Sequence, residues 1–230
     1  MKKQLKTALR VFQIKLFIIA AIFVLVGGSF LFWKIAKDTG NDSSYSESSI
    51  INQPASDLND YFPLAIGNQW RYKVKIGALT AEDLIFQIAY QDEINEKLTY
   101  VLQDTNAVQS ENYEKTPEAV LVHKRNDQMF DPPQPIILFP LSAGAQKNWQ
   151  EETGISGELK IVKEETVRVP AGKFKAWRIQ IEKNDNKGDL ISRSIRWFAP
   201  GIGMIKEESA ITVSGKKIKF LAELAEYHLK

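Results

Sequence analysis

Cysteine is absent from the 230 residues. That excludes disulfides, thiolate zinc sites, iron–sulfur clusters, cysteine nucleophiles and a lipidated cysteine anchor. Histidine is scarce. His123 and His228 are the only two, far apart in sequence, and neither sits in a His-Glu-x-x-His spacing. A zinc hydrolase is therefore not expected. A third absence is local: no acidic residue precedes Asp38, whereas seven basic ones do (Lys2, Lys3, Lys6, Arg10, Lys15, Lys34 and Lys37).

The formal charge of +2 thus averages two unlike pieces. Of 30 basic and 28 acidic residues, the part from Asp38 onward holds 23 and 28, a net of −5. Between Lys15 and Lys34 runs LFIIAAIFVLVGGSFLFW, 18 residues without a charge. As a helix it covers about 27 Å, roughly one hydrocarbon core. The flanking lysines can snorkel to headgroups, and Trp33 sits where an amphipathic ring prefers the interface. The basic excess on the N-terminal side puts that side in the cytoplasm and residue 38 onward outside. A cleaved signal peptide would have an apolar core of about 7–15 residues with its small-residue site behind it. Here Gly27 and Ser29 lie inside the apolar run, so an uncleaved anchor is expected.

The resulting division is a basic cytoplasmic tail (1–15), a transmembrane helix (16–33), a Ser/Asn/Asp-rich stalk (34–57) and one extracytoplasmic domain (58–230). The domain reads as mainly β. Trp70–Lys75 alternates apolar with basic, and Leu84–Tyr90 is apolar enough to suggest burial on both faces. Leu98–Leu102, Ala119–His123 and Leu159–Lys163 are short strand candidates. A hairpin is expected with Lys175, Trp177, Ile179 and Ile181 on one face of its first arm. On its return arm Ile191, Ile195 and Trp197 alternate with Ser192, Ser194 and Arg196, which are expected to face water. Ala199-Pro200-Gly201-Ile202 fits a type II turn, Val169-Pro170-Ala171-Gly172 a type I turn, and Ser214-Gly215 marks another hairpin. Ile218–Tyr227 is favoured as a strand over a helix. A short helix is considered around Glu111–Ala119, weakened by Pro117.

Three motifs in order carry a resemblance. They are Tyr61-Phe62-Pro63-Leu64 with Gly67-Asn68-Gln69-Trp70, then Val169-Pro170-Ala171-Gly172-Lys173-Phe174 with Trp177, then Trp197-Phe198-Ala199-Pro200-Gly201-Ile202-Gly203. Together they resemble a family of bacterial extracytoplasmic β-proteins of unknown function. The resemblance implies a curved antiparallel sheet or half-barrel of many short strands, similar to lipoprotein-carrier half-barrels. It implies export or lipid anchoring, and it supplies no catalytic residues. This chain departs from that pattern by its transmembrane helix and its lack of cysteine.

No catalytic, cofactor or metal set emerges. His123 with Asp127 and Asp131 matches no calcium loop, and Gly154-Ile155-Ser156-Gly157-Glu158 misses the last glycine of a nucleophile elbow. Glu151-Glu152, Glu164-Glu165 and Glu207-Glu208 are neighbours that a strand would point to opposite faces, so they read as edge or loop charges. Arg178 and Arg193 are expected to pair with Glu182 and other carboxylates across the sheet. The segment Asp131–Leu141 holds four prolines and the apolar run Ile136-Ile137-Leu138-Phe139, and reads as a strand covering the sheet or a lip over a pocket. With Trp177 and Trp197 that run forms the candidate apolar groove. The expected function is a non-enzymatic, membrane-anchored interaction or ligand-binding module. Its partners are the bilayer through 16–33 and an envelope protein or an apolar ligand, with no cofactor and no nucleic acid. The alternatives are carriage or sensing of a lipid-like ligand, and a hydrolase with an unrecognised site.

Overall fold

The computed structural model describes residues 60–81, 83–105, 109–213 and 216–230. The expected tail (1–15), membrane helix (16–33) and stalk (34–57), and the Ser214-Gly215 turn, lie outside the described residues. Among the described residues no helix is long and apolar enough to cross a membrane.

Thirteen strands form one antiparallel sheet. They are β1 (Gln69–Ile76), β2 (Leu79–Thr80), β3 (Leu84–Ile94), β4 (Lys97–Asp104), β5 (Ser110–Lys115), β6 (Ala119–Arg125) and β7 (Gln128–Leu138), followed by β8 (Gln146–Gln150), β9 (Ser156–Val169), β10 (Gly172–Asn184), β11 (Leu190–Ala199), β12 (Gly203–Val213) and β13 (Lys216–His228). The order β7-β6-β5-β4-β3-β1-β13-β12-β11-β10-β9-β8 makes two meanders joined where β1 pairs with β13, with the short β2 as a flap on β1. Twelve strands curl into a nearly closed barrel, a step beyond the expected curved sheet or half-barrel.

The gap falls between β7 and β8, for a covalent reason. β7 carries Pro132, Pro133 and Pro135, which have no N–H to donate, and its ladder runs to β6 alone. Side chains bridge the gap instead. Lys183 Nζ on β10 donates to Gln134 Oε1 on β7 (2.9 Å) and to Glu151 Oε1 after β8 (3.0 Å), and Gln134 Nε2 donates to the same Glu151 oxygen (2.8 Å). Beside them, the Trp149 ring of β8 lies flat over Gly157 of β9, its register partner. A Cβ at Gly157 would sit 2.1 Å from the ring, so only glycine admits it.

Local expectations hold at several places. β1 alternates as read, with Trp70, Tyr72 and Val74 buried. Ile218–Tyr227 is strand, within β13. Ala199–Ile202 closes a turn through Ile202 N–H to Ala199 O (3.2 Å), with Gly201 at φ +69°, as a type II turn requires. Three readings need correction. The segment around Glu111–Ala119 is two strands, β5 and β6, turning at Thr116–Glu118, where Pro117 is harmless because no helix has to pass it. Leu84–Tyr90 is not buried on both faces: Ile88 is covered, but Tyr90 is exposed, because one face of β3 points to solvent.

The third correction concerns β11. The hairpin exists, with Trp177, Ile179, Ile181 and Lys183 sharing the inner face of β10. Register then sets Ile179 opposite Arg196 and Ile181 opposite Ser194. The supposed wet face of β11 is therefore the inner one. Ser194, Arg196 and Phe198 point into the barrel, and Ile191, Ile195 and Trp197 point out.

Candidate functional site

The barrel interior contains two adjoining spaces. The larger is a cavity of about 110 Å³ whose walls are mostly apolar. Trp70 and Tyr72 of β1, Leu84 and Phe86 of β3, Phe198 of β11 and Phe220 of β13 line it. The reason is register: Trp70 faces Phe86 and Tyr72 faces Leu84 across one ladder, so large side chains stack on one face of neighbouring strands. Arg196, Glu207 and Glu111 bring charge to one part of the wall.

The segment before β1 plugs one side. Phe62 packs on Tyr113 (ring centroids 4.8 Å apart) and Phe198 (6.2 Å), and Phe62 and Pro63 line the cavity. Asn68 holds this segment in place: its Nδ2 donates to Pro63 O (3.0 Å) and its Oδ1 accepts from Lys230 N–H (2.9 Å). Trp70 Nε1 donates to Ile202 O (2.6 Å), and Gly201 N–H donates to Asp60 O (2.8 Å). The first and third sequence motifs therefore meet at the cavity mouth. Their spacing reflects one tertiary contact. Burial raises the Tyr72 hydroxyl well above the ordinary phenol range, with the Glu207 charge adding to it, and that hydroxyl stays neutral and donates to Met204 O (2.8 Å).

The smaller space, about 30 Å³, lies behind the first and shares Ile136 and Arg196 with it. Its walls mix apolar side chains such as Val122, Ile181 and Ile211 with polar and charged ones. Three cations reach it, Arg125 of β6, Lys183 of β10 and Arg196 of β11, and all three are more than nine-tenths buried. Each has a carboxylate partner outside the chamber wall. Arg125 Nε donates to Glu111 Oε1 (2.6 Å), and Lys183 bonds Glu151 as described. Arg196 Nε lies 3.2 Å from Glu207 Oε2, near enough for an ion pair but without hydrogen-bond alignment. Glu207 also accepts from Ser194 and Ser209 (2.9 Å each). Burial holds Lys183 down to about 8; Glu151 opposes that shift, and Arg125 and Arg196 add to it. Burial likewise lowers Arg125, against the pull of Glu111.

The six residues of the expected groove are dispersed. Ile136 lines both spaces. Ile137 is wholly buried in the core, and Leu138 and Phe139 pack half-buried against it. Trp177 is on the inner face beside Phe198, but away from the cavity. Trp197 lies on the outer face, its Nε1 donating to Glu165 Oε1 (2.9 Å) and its ring covered by Arg178 and Lys206. Of the two pairings expected for arginine, Arg193 does meet Glu182, while Arg178 stacks on Trp197 instead. The pair Glu207-Glu208 does split between the faces of β12, and Glu151-Glu152 lies in the turn after β8, but Glu151 and Glu207 are buried ion-pair partners, not solvated charges. Among the described residues no three His, Asp or Glu side chains converge as metal ligands. His123 is buried with its Nε2 2.7 Å from Glu114 Oε2, and His228 is exposed.

Fold and site together define an all-β, nearly closed barrel enclosing an apolar cavity with a charged inner end. Residues 79–210 match the DUF3108-like family, and the chain belongs to that family. No curated protein matches it. Among solved structures it is similar to a candidate lipoprotein from Parabacteroides distasonis (13% identity, covering 75% of this chain and 100% of that one, TM-score 0.42). It is also similar to a candidate exported protein with a YmcC-like fold from Bacteroides fragilis (16%, 73% and 98%, TM-score 0.44). A third is a β-barrel-like protein of a domain of unknown function from Brucella abortus (8%, 72% and 98%, TM-score 0.39).

Proposed function

We propose that this protein is a membrane-anchored, extracytoplasmic, non-enzymatic binding module of the bacterial envelope, and that its ligand is an apolar chain held inside the barrel. The observation that carries this reading is the cavity bounded by Trp70, Tyr72, Phe86, Phe198 and Phe220. An apolar space of this kind, with a few polar groups at one end, is how small-molecule sites are built. The uncharged run 16–33 and the seven basic residues before Asp38 support the anchor and its orientation.

Two measurements test it. Native mass spectrometry of the full-length protein released from envelope membranes is expected to show a retained apolar ligand, lost in the Leu84→Trp variant, which fills the cavity wall. Equal retention in that variant would move the ligand elsewhere. Protease added to spheroplasts is expected to digest the β-domain and spare the tail, and a protected domain would reverse the orientation.

A further inference from the structure

The small chamber behind the apolar cavity has a chemical asymmetry. Arg125, Lys183 and Arg196 line it, together with the partly exposed Arg193, and no acidic side chain does. The carboxylates that balance the three buried cations stand behind them. Arg125 Nη1 and Trp149 Nε1 are buried donors without a hydrogen-bond acceptor among the described residues, and both belong to residues of the chamber wall, while Arg196 Nε has only the misaligned Glu207 at 3.2 Å. Buried donors are normally satisfied, and leaving one unmet costs about 1–3 kcal/mol. Two on one small chamber, beside the Arg196 charge, call for an anionic acceptor with several lone pairs. The chamber also adjoins the apolar cavity, with Ile136 and Arg196 lining both.

We infer that the chamber is the headgroup site of an anionic amphiphile: a fatty carboxylate whose oxygens accept from Arg125, Trp149 and Arg196 while its alkyl chain fills the aromatic cavity. This rests on the apolar-cavity reading and adds the chemical class of the ligand. A carboxylate has two oxygens and about four acceptor positions, enough for several donors at once. Charge-assisted bonds of this kind are the stronger class. The chamber is narrow, about 30 Å³, which favours a small head such as a carboxylate.

The test uses the full-length protein in phosphatidylcholine nanodiscs, with empty nanodiscs as the partitioning reference. Binding of decanoate is compared with that of methyl decanoate, which keeps the chain but loses the anionic acceptor. Decanoate is expected to bind at least about tenfold more tightly, the scale of one hydrogen bond to a charged group. Trp149→Phe removes the unmet donor together with the outer part of the indole over Gly157, so binding of the ester serves as the reference for lost packing. It is expected to weaken decanoate several-fold and leave the ester unchanged. Equal affinity for acid and ester would overturn the headgroup site and leave the apolar cavity standing. A preference for the acid that Trp149→Phe does not touch would place the head outside this chamber and overturn the inference. Binding of neither ligand would overturn the cavity reading and the inference together.

Discussion

The two ends of the barrel interior meet along β11 and differ in almost every other respect. One end stacks aromatic and aliphatic side chains from β1, β3, β11 and β13 around an open cavity. The other packs three cation–carboxylate pairs from β5, β6, β10, β11, β12 and the residue after β8 with little free volume. Two residues apart on β11, Phe198 lines the apolar cavity alone, whereas Arg196 lines both spaces. The contrast separates two ways of filling a barrel. Apolar packing tolerates a vacant space that a ligand can occupy, whereas buried charges hold together only if each keeps its partner. The charged end also carries the seam, where β7 cannot complete a ladder, so it has both to close the wall and to solvate its own ions.

The sharpest way to break this contrast is to remove one buried charge. Glu207→Ala leaves Arg196 without its counter-charge and Ser194 and Ser209 without their acceptor, and should cost about 3–5 kcal/mol in a urea titration followed by tryptophan fluorescence. A cost near that of a surface change would mean that the charged end is wet and open. Next comes the seam. Gly157→Ala drives a methyl group into the Trp149 ring and is expected to lose about 1–3 kcal/mol, with the tryptophan emission shifting toward that of exposed indole.

A smaller effect follows from pH. Lys183, held down to about 8 when folded, returns toward 10.5 when unfolded. Between those values the unfolded chain binds more protons, so this group makes stability rise with pH, by up to about 1.4 kcal/mol per unit. Glu151, Arg125 and Arg196 face the ammonium, and Gln134 and the Phe130 ring pack on it. Denaturation of wild type against Lys183→Gln from pH 8 to 10 checks the sign; a relative fall would mean that Lys183 stays charged. The smallest effect belongs outside the barrel. Arg193→Ala removes the half-exposed pair with Glu182 and should change stability by about 0–1 kcal/mol, less in high salt. A large loss would mean that the outer face, too, carries buried charge.

Much of the strand layout was legible because period-2 alternation and Pro/Gly turns are local. β1, the β10–β11 hairpin and the Pro200-Gly201 turn follow from their own residues. The site was less legible. Alternation on β11 divides the strand into two faces, but nothing in it says which face is inside; the larger apolar residues suggested one answer, and pairing to β10 imposed the other. Glu151 and Glu207 read as solvated because a single strand does not reveal the arginine or lysine that will meet it from another. The run Ile136–Phe139 was noticed for its composition, yet only Ile136 reaches the cavity, since neighbours on a strand diverge.

The sequence by itself determined the division into a basic, apolar leader and an acidic β-rich body, the absence of cysteine chemistry, and the turns that punctuate the strands. These depend on composition, charge order and short-range backbone preference. Only the tertiary structure decided that the sheet nearly closes, that Arg196 points inward while Trp197 points out, and that three ion pairs share one end of the interior. Those outcomes depend on register between segments distant in the chain, where shifting one strand by a single residue exchanges every inward side chain for an outward one.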